Sequence, residues 1–474
     1  MLPRYGFIVG GESRTSEDLL TIRSPYSREP VAEVCRAGAG DVEEAVAGAV
    51  RAFEQTRRLA SFERSRLLAE AARRLSAAAE ELARTISLEA GKPLRLSRVE
   101  AQRTVEIVQL AAEEARRIGG EVIPLDWTEA TRGAIALNCR FPLGPIYGIT
   151  PFNFPLNLVS HKLAPALAAG NTIVIRPSSA APVSALRLGE IVSACGWPAG
   201  TISVLPCSTA LGEAMARDDR FRLLTFTGSP EVGWHLKSIA GRKRVTLELG
   251  GNAATIIDET ADVERAASRC AFGAFAFSGQ VCISVQRILA HQSVFESFCG
   301  LLVAELAHLR PGDPLDEATT IGPLISEGAA ERTEAWIREA VEGGARLLAG
   351  GQRHGNYLPP TVLTGTTPQM KVNCCEVFAP LVTVEPFTDF GDALRLVNDS
   401  PYGLQAGVFS RDVVRILAAW RELEVGGVII NDIPTLRLDH MPYGGVKLSG
   451  LGREGVRPAI EEMTETKLLA LNFR

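Results

Sequence analysis

The chain has 474 residues, of which 46% are hydrophobic and 22% are charged, and its formal net charge is −5. This length exceeds the roughly 250 to 300 residues at which one hydrophobic core stops growing, so we expect two sizeable domains. The weakly acidic, interspersed charge excludes the basic surface that a nucleic acid or an anionic membrane needs in a partner.

The N-terminal segment lacks the charged and apolar regions of a secretory signal, and no apolar run approaches the ~18 residues that span a bilayer. These features predict a cytoplasmic protein. The nine cysteines are scattered through the chain without Cys-x-x-Cys or Cys/His clusters. We therefore expect reduced thiols and no metal site.

The first part of the chain is predicted to be helical. Apolar residues recur at helical spacing from Asp41 to Phe53, and Asp41 with Glu44 resembles a capping box. A second helix is predicted over 67–82, and a third over about 97–117. Two extended segments follow between 121 and 140 and predict a projecting β-hairpin, an element that often serves subunit contacts.

Beyond the hairpin, strand-like and helix-like stretches alternate. From Pro142 to about residue 249 this alternation predicts parallel βαβ units in a doubly wound sheet, which binds ligands at the carboxyl ends of its strands. A second alternating block begins near Ala254 and predicts a second α/β domain. We expect the functional site to lie between the two.

The segment Thr227 to Gly233 follows an apolar strand and opens a helix. Its small residues Gly228, Ser229 and Gly233 would let backbone N–H groups approach a pyrophosphate. Glycines also occur in such turns for packing alone, and the segment is not a Gly-x-Gly-x-x-Gly motif. It is a weak signal by itself.

Cys282 ends the sequence Ser-Gly-Gln-Val-Cys in a segment without strong periodicity. Such a turn suits a nucleophile that must meet a substrate, although a buried structural cysteine is the alternative. Glu248 closes an apolar strand before two glycines, where a carboxylate must be paired, solvated or shifted in pKa toward a general base. Asn153 lies between aromatic and proline residues and is either an oxyanion donor or a turn residue.

Six motifs occur together in this order: PFNFP, FTGSPEVG, LELGG, GQVC, EVFAP and PYGGVKLSGLGREG. With them the chain, from about Tyr26 to its C-terminus, resembles the aldehyde dehydrogenase superfamily. The resemblance implies an α/β fold with a doubly wound cofactor-binding domain (1–120 and 141–249) and an α/β catalytic domain (250–450). It also implies a β-hairpin oligomerisation element (121–140 and 460–474), and therefore a homodimer or homotetramer.

The resemblance also implies chemical roles. Cys282 would be the nucleophile, Glu248 the base that activates water, and Asn153 with the Cys282 backbone N–H the oxyanion hole. Thiolate addition, hydride transfer to a nicotinamide and hydrolysis of the thioester would follow in that order. Lys162 matches a lysine near the catalytic centre of the family, where it would relay protons; a lysine on a helix surface is the alternative.

The cofactor implied is NAD or NADP. The residues matched to its site are Thr150, Pro151, Phe152, Arg176, Ser178, Ser179, Gly228, Ser229, Gly233, Leu249, Gly250, Glu376 and Phe378. The family usually has Lys where this chain has Arg176, which can pair a phosphate bidentately, and Ser179 offers no carboxylate to repel a 2′-phosphate. These departures favour NADP; the alternative is that Arg176 replaces the lysine of an NAD enzyme. Cys375 and Ala379 also depart from the usual EEIFGP form.

The substrate site is matched to Phe154, His161, Arg437, His440 and Tyr443. Together with GQVCIS, this region looks like the branch that acts on lactaldehyde, glyceraldehyde-type and phosphono- or sulfoacetaldehyde substrates, so we expect a small polar aldehyde. His161, Arg437 and His440 would bind a hydroxyl or an anionic tail. The alternative for Arg437 is a salt bridge to Asp439 or Asp432.

Three rival functions remain from the sequence. The first is a CoA-acylating semialdehyde dehydrogenase, which the presence of Glu248 disfavours. The second is a non-catalytic protein of the same fold, and the third is a cofactor-independent thiol esterase. The joint presence of nucleophile, base, oxyanion donor and Glu376 disfavours the last two.

Overall fold

The computed structural model describes residues 2–472. Its α-helices are α1 Ala39–Thr56, α2 Ser61–Ala77, α3 Ala79–Ala90, α4 Leu94–Glu114, α5 Asn157–Ala169, α6 Val183–Ser193, α7 Thr209–Arg217, α8 Pro230–Ile239, α9 Val263–Phe275, α10 Phe295–Glu305, α11 Glu327–Glu342, α12 Lys371–Cys374, α13 Phe390–Asn398, α14 Val413–Glu422 and α15 Val456–Glu462. Over the described residues, no helix is both long enough and apolar enough to cross a membrane.

The strands are β1 Arg4–Tyr5, β2 Phe7–Val9, β3 Glu12–Arg14, β4 Leu19–Arg23, β5 Pro30–Cys35, β6 Gly120–Pro124, β7 Ile135–Pro142, β8 Ile146–Ile149, β9 Ile173–Arg176, β10 Ile202–Val204, β11 Leu223–Thr227, β12 Arg244–Glu248, β13 Ala254–Ile257, β14 Arg287–His291, β15 Arg346–Ala349, β16 Thr361–Thr364, β17 Leu381–Phe387, β18 Tyr402–Gly403, β19 Gln405–Phe409, β20 Gly427–Ile430, β21 Val446–Lys447, β22 Gly450–Leu451 and β23 Thr464–Leu471.

The first large sheet has the strand order β22-β12-β11-β8-β9-β10-β2-β3. The five strands from β12 to β10 in this order pair in parallel, whereas β22 and β2 join the two sides antiparallel. Their apolar side chains are buried, as is usual when helices cover both faces of a parallel sheet. The predicted doubly wound unit is confirmed, and the carboxyl ends of β8, β9, β11 and β12 meet at one edge.

The second large sheet has the order β15-β16-β17-β14-β13-β19-β20. All of its pairings are parallel except that of β15 at one edge. Helices α9 and α10 pack on it and close a separate hydrophobic core. This agrees with the second alternating block predicted from Ala254 onward.

A third, three-stranded antiparallel sheet is formed by β6, β7 and β23. It pairs the predicted hairpin with the C-terminal strand, in which eight residues from Thr464 to Leu471 face β7. Val122, Leu468 and Leu469 on this sheet are exposed, and the indole of Trp127 in the hairpin loop is 88% exposed. The last two residues of the segment 460–474 lie outside the described residues.

The helical N-terminal part differs from the prediction in detail. The carboxylate of Asp41 accepts the backbone N–H of Gly38 at 2.9 Å, so Asp41 is the third residue of α1 rather than its cap. Glu44 pairs instead with Arg14. The single helix predicted over 67–82 is two helices, α2 and α3, that meet at Ala78, where ψ of 4° turns the chain without a glycine or proline to mark the break.

Candidate active site

Cys282 lies in the irregular segment between α9 and β14. The segment begins with the 3-10 turn Ala276–Gly279, where Phe277 and Ser278 have left-handed backbone conformations with φ of 49° and 54°. Such conformations are costly for residues other than glycine and concentrate at functional sites. Ser278 fixes the turn by donating a hydrogen bond to the Gly322 carbonyl at 2.6 Å. The turn brings Cys282 to the wall of a cavity.

The thiol of Cys282 is largely enclosed. Its Sγ lies 3.0 Å from the hydroxyl of Tyr443. Burial raises the pKa of the Cys282 thiol to about 11, although the Tyr443 hydrogen bond and the charge of Arg437 act in the opposite direction. Since the thiolate is the nucleophile, the groups that lower this pKa control reactivity.

Glu248 is the last residue of β12, where it faces Gly450 of β22. Its carboxyl is buried, and neither oxygen has a hydrogen-bond partner within residues 2–472. Burial, and then the charge of Glu454, raise the pKa of Glu248 well above its usual value. A Cβ added at Gly444 would lie 2.8 Å from Glu248 Oε1, so the glycine there leaves the carboxyl its room. A buried, unpaired carboxyl with a raised pKa has the properties of a general base.

Asn153 follows β8 and is also buried. Its Nδ2 donates to the Gln280 carbonyl at 3.0 Å, which holds the amide against the turn that carries Cys282. An amide nitrogen has two N–H groups, so one remains for another acceptor. The side-chain oxygen Oδ1 has no partner among the described residues. Asn153 is therefore placed as a fixed donor close to the thiol-bearing segment.

Lys162 on α5 is fully buried rather than on a helix surface. Its Nζ donates to Thr225 Oγ1 and to Glu454 Oε1, each at 3.0 Å. The other oxygen of Glu454 accepts from Arg437 at 3.0 Å. Burial acts to raise the pKa of Glu454, but the charges of Lys162 and Arg437 outweigh it and lower the pKa to about 2. Lys162 thus contributes to a charged cluster adjoining Glu248.

Glu454 was not among the residues singled out from the sequence, although it lies within the quoted motif PYGGVKLSGLGREG. A charged residue in a glycine-rich motif is the one signal that could have identified it. The structure shows that it holds both Lys162 and Arg437, and that its charge perturbs Glu248. It is the central anion of the cluster.

His161 lies beside this cluster and is completely buried. Its Nε2 is 2.9 Å from Asp439 Oδ1 and 3.2 Å from Arg437 Nη2. Burial, and then the charge of Arg437, lower the pKa of His161. His161 is not among the described residues that line the cavity; its contacts hold Arg437 and Asp439 in place.

His440 is exposed and does not line the cavity among the described residues. Its neighbour Asp439 points inward to Arg103 and His161, which turns the adjacent side chain toward solvent. The expected salt bridge of Arg437 to Asp439 or Asp432 is also not formed. Asp439 is bound by Arg103 and Asp432 by Arg269, which leaves Glu454 as the partner of Arg437.

The cavity at Cys282 has a volume of about 260 Å³. Three of the expected substrate residues line it: Phe154, Arg437 and Tyr443. Three further cationic side chains that the sequence analysis missed also line it: Lys92, Arg103 and Arg269. Their helical or turn positions gave no sequence signal that distinguishes them from surface residues.

Each of these four cations is tied to a carboxylate. Arg103 forms two hydrogen bonds to Asp439, at 2.6 and 2.9 Å, and Arg269 donates to Asp432 at 2.7 Å. Lys92 pairs with the buried Glu100, and its Nζ lies 3.7 Å from the centroid of the Phe154 ring. Of the four partners only Glu100 lines the cavity, so the cavity wall presents more positive than negative groups.

The residues expected to hold a cofactor lie at the carboxyl edge of the first sheet. Thr150, Pro151 and Phe152 follow β8, and the buried hydroxyl of Thr150 has no partner within the described chain. Gly228 and Ser229 follow β11, where Ser229 caps α8 by accepting the Val232 N–H at 3.4 Å. Such an edge, with a helix N-terminus, suits the pyrophosphate of a dinucleotide.

Arg176 ends β9, and its Nη2 donates to the Cys207 carbonyl at 3.3 Å. Its Nε is buried without a partner in the part of the chain that the structure describes. Ser178 is half-buried and accepts the Ala180 N–H at 3.2 Å, whereas Ser179 is exposed. The position therefore offers a cation with spare donors and no carboxylate.

Glu376 packs across the glycines that follow β12. Its Oε1 accepts the Gly251 N–H at 3.1 Å, and a Cβ on Gly250 would lie 2.2 Å from its other oxygen. Burial raises the pKa of Glu376 to about 7. The ring of Phe378, a residue with φ of 53°, meets the ring of Phe152 edge to face at 6.0 Å.

Gly233 of α8 packs closely against the side chain of Leu249, which follows β12. A Cβ on Gly233 would lie 2.4 Å from a methyl carbon of Leu249, so α8 can approach β12 only because residue 233 is glycine. Carboxylate, hydroxyl, helix N-terminus and cation along one edge match the ribose, amide and phosphate groups of a nicotinamide dinucleotide. The residues present fit such a cofactor.

Comparisons with known proteins place this geometry in a family. Residues 12–469 match the model of the aldehyde dehydrogenase family. A 3-sulfolactaldehyde dehydrogenase of Priestia megaterium is 44% identical over 471 residues, which cover 99% of this chain and 98% of the relative.

Two solved structures are similar over nearly the full length. Aldehyde dehydrogenase 21 of Physcomitrella patens, in complex with the reaction product succinate, has a TM-score of 0.98 and 39% identity, covering 100% of this chain and 99% of that one. The glyceraldehyde-3-phosphate dehydrogenase GapN of Methanocaldococcus jannaschii, complexed with NADP, has a TM-score of 0.93 and 35% identity, covering 97% and 100%. The chain belongs to the aldehyde dehydrogenase family, and it is an NAD(P)-dependent enzyme that oxidises an aldehyde to its carboxylic acid.

Proposed function

We propose that this enzyme oxidises a short aldehyde that carries an anionic group at the end opposite the carbonyl. The observation that carries the proposal is the wall of the cavity at Cys282, which is lined by four residues with cationic side chains and by one with a carboxylate. A volume of about 260 Å³ suits a chain of a few carbon atoms better than a large substrate. The aldehyde would face the thiol and the anion would face the cations.

The counter-charges explain how the cations are held ready. Arg103 and Arg269 are fixed by Asp439 and Asp432, which lie behind the cavity wall and do not line it. The buried Nε of Arg437 has no partner among the described residues. An incoming sulfonate or carboxylate can therefore meet preorganised donors without first displacing a protein carboxylate.

The relatives support the same substrate class. The Priestia enzyme is named for a sulfonated three-carbon aldehyde, and the Physcomitrella structure holds the dicarboxylate succinate. Both molecules carry an anion at the far end from the oxidised carbon. We extend this chemistry, rather than either individual substrate, to the present chain.

For catalysis we propose the following roles. Cys282 Sγ adds to the aldehyde carbon, and the charge that develops on the aldehyde oxygen is stabilised by the free N–H of Asn153 and the backbone N–H of Cys282. A nicotinamide held by Glu376 and Phe378 would supply the acceptor for the hydride. Glu248 then takes a proton from a water molecule that attacks the thioester carbon, and the C–S bond breaks to release the acid. Lys162 acts through Glu454, whose charge perturbs the Glu248 carboxyl.

For the cofactor we propose NADP, held by the residues at the carboxyl edge of the first sheet. The spare donors of Arg176 are suited to a 2′-phosphate, and the exposed Ser179 adds no repulsion. Glu376 would bind the nicotinamide ribose, since one of its oxygens has no hydrogen bond in the described chain. Phe152 and Phe378 would flank the ring.

We further propose that the chain functions as a homodimer or homotetramer through the third sheet. The exposed apolar residues Val122, Leu468 and Leu469 support this, because a monomer would leave them in water. On this proposal, 121–140 and 460–474 form the oligomerisation element, 1–120 with 141–249 the cofactor domain, and 250–450 the catalytic domain.

The test compares aldehydes that differ only at the far end. Initial rates of NADP reduction are measured with 3-sulfolactaldehyde, succinate semialdehyde, lactaldehyde and butanal, for the wild type and for Arg103→Met. We expect the anionic aldehydes to be preferred, and the variant to raise their KM by about 10- to 100-fold, since a hydrogen bond to a charged group contributes roughly 1.5 to 3 kcal/mol.

The KM for lactaldehyde and butanal should change little in that variant, because neither carries the anion. Equal kcat/KM for anionic and neutral aldehydes in the wild type would refute the proposed substrate class. Cys282→Ala is the control for the chemistry: turnover in that variant would refute the proposed nucleophile.

A further inference from the structure

Tyr443 is the partner of the reacting sulfur. Its hydroxyl lies 3.0 Å from Cys282 Sγ, and no other hydrogen-bond partner of this sulfur occurs within residues 2–472. The Tyr443 backbone is fixed by a pair of hydrogen bonds to Glu454, with N–O distances of 3.0 and 2.6 Å. These two hydrogen bonds hold the backbone of Tyr443 in the position from which its hydroxyl contacts the thiol.

The surroundings of Tyr443 favour donation by its hydroxyl. The guanidinium of Arg437 stacks on the phenol ring, 3.8 Å from the centroid, and is held there by Glu454 and His161. A cation against the ring draws electron density from the phenol and makes its O–H a better donor. Burial raises the pKa of Tyr443 well above its usual value, so the phenol keeps its proton while the thiol is ionised.

The other polar groups near the thiol do not supply this hydrogen bond. The Asn153 amide is bound to the Gln280 carbonyl and is placed for an oxyanion, and the Glu248 carboxyl has no partner. Burial makes a thiolate at Cys282 costly unless a hydrogen-bond donor meets its charge directly. Among the described residues, the Tyr443 hydroxyl is the group that already lies within hydrogen-bonding distance of Cys282 Sγ before any substrate arrives.

We propose that Tyr443 is a catalytic residue whose hydroxyl donates a hydrogen bond to the Cys282 thiolate and thereby increases the ionised fraction of the nucleophile. The inference rests on the proposed role of Cys282. The thiol proton leaves to solvent, and Tyr443 retains its own. When Sγ bonds to the aldehyde carbon, the negative charge moves to the aldehyde oxygen beside Asn153, and the hydrogen bond from Tyr443 is released.

The size of the effect follows from two opposing terms. Losing one hydrogen bond to an ionised group corresponds to a rise of about one unit in the thiol pKa, which leaves about tenfold less thiolate at neutral pH. A thiolate of higher pKa is intrinsically about threefold more nucleophilic per unit. The net loss expected on removing the hydroxyl is therefore about threefold.

The experiment is alkylation of the intact enzyme by iodoacetamide without substrate or cofactor. Modification of Cys282 in the wild type and in Tyr443→Phe is followed by peptide mass spectrometry from pH 7 to pH 9. We expect alkylation of the variant to be about threefold slower at each pH. Slower alkylation distinguishes a lost donor from a loosened cavity, because easier access to the sulfur would make alkylation faster.

Tyr147→Phe is the matched control. It also removes one buried phenol hydroxyl, which donates to the Gly212 carbonyl at 3.2 Å; Tyr147 does not line the cavity at Cys282, so this variant should be alkylated at Cys282 at the wild-type rate. Equal or faster alkylation of Tyr443→Phe would overturn the inference. Turnover of Cys282→Ala tests the proposed nucleophile separately. A failed prediction for Tyr443 can therefore be distinguished from a failed assignment of Cys282.

Discussion

Replacing Glu248 by glutamine should separate the oxidation step from the hydrolysis step. Neither carboxyl oxygen of Glu248 has a hydrogen-bond partner among the described residues, so the amide breaks no contact and the fold should be retained. General-base catalysis contributes about 10²- to 10⁴-fold to a rate, or roughly 2.7 to 5.4 kcal/mol of barrier. In the proposed mechanism, hydride transfer precedes the step that needs this base. We therefore expect one rapid turnover followed by slow release of the acid.

The assay is stopped-flow absorbance of the reduced cofactor. Glu248→Gln should give a burst of about one reduced cofactor per active site, followed by a steady rate lowered by about 10²- to 10⁴-fold. Glu17→Gln, which alters a fully exposed carboxylate, is the control and should match the wild type. An unchanged steady rate in Glu248→Gln would refute the assignment of the base.

The wild type should also show a characteristic pH dependence. Burial and the charge of Glu454 raise the pKa of Glu248, and the base must be deprotonated to accept a proton. Steady turnover should therefore rise with pH through this raised pKa, at higher pH than an ordinary glutamate would give. An acid limb centred at the pKa of an exposed glutamate, measured as kcat against pH, would contradict the buried environment of the carboxyl.

Three further predictions follow from contacts elsewhere in the structure. Gly444→Ala should lower steady turnover more than the burst, because its Cβ would lie 2.8 Å from Glu248 Oε1 and 2.7 Å from the Gly452 carbonyl oxygen, so that either the carboxyl or the segment beside it must move; stopped-flow measurements with equal losses in both phases would argue otherwise. Lys92→Met should lower the free energy of unfolding in urea by about 3 to 5 kcal/mol, because it leaves the buried Glu100 carboxylate with two backbone N–H donors but no cation, and Lys92→Met/Glu100→Gln should regain part of it. Ser179→Glu places a carboxylate where the 2′-phosphate of NADP is proposed to bind, so it should raise the KM for NADP by about tenfold and leave the KM for NAD nearly unchanged. An equal change in both KM values would show that residue 179 does not distinguish the two cofactors.

The sequence motifs were sufficient to predict the family and the fold class. Apolar runs before Thr150, Arg176 and Glu248 predicted parallel strands, and the structure has β8, β9 and β12 at those positions. This succeeded because a strand buried on both faces requires a continuous apolar run, which is visible without knowledge of its neighbours. The roles of individual site residues remain proposals.

The composition of the cavity wall could not be predicted in the same way. Lys92, Arg103 and Arg269 occur between α3 and α4, on α4 and on α9, where a cation has no distinguishing pattern. They converge because segments far apart in sequence pack around Cys282. Pairings such as Arg103 with Asp439, separated by 336 positions, are set by tertiary structure alone.

His440 illustrates the limit of reading contacts from sequence neighbours. The resemblance matched His440 to the substrate site together with Arg437, but His440 is exposed and its neighbour Asp439 takes the inward position. The same loop has Arg437 bound to Glu454, not to an aspartate nearer in the chain. Nearness in sequence therefore did not predict the salt-bridge partner of Arg437.

The strand β22 joins the segment 443–454 to β12, with Gly450 opposite Glu248. One short stretch of chain thus carries Tyr443 at the thiol, Glu454 in the charged cluster and the contact that seats Glu248. For enzyme engineering, residues 443–454 should therefore be exchanged together, as one segment. A chimera that takes residues 443–454 from a relative to alter selectivity should take β12 from the same relative. Otherwise the new segment would pack against a strand, and a Glu248 carboxylate, with which its residues do not belong.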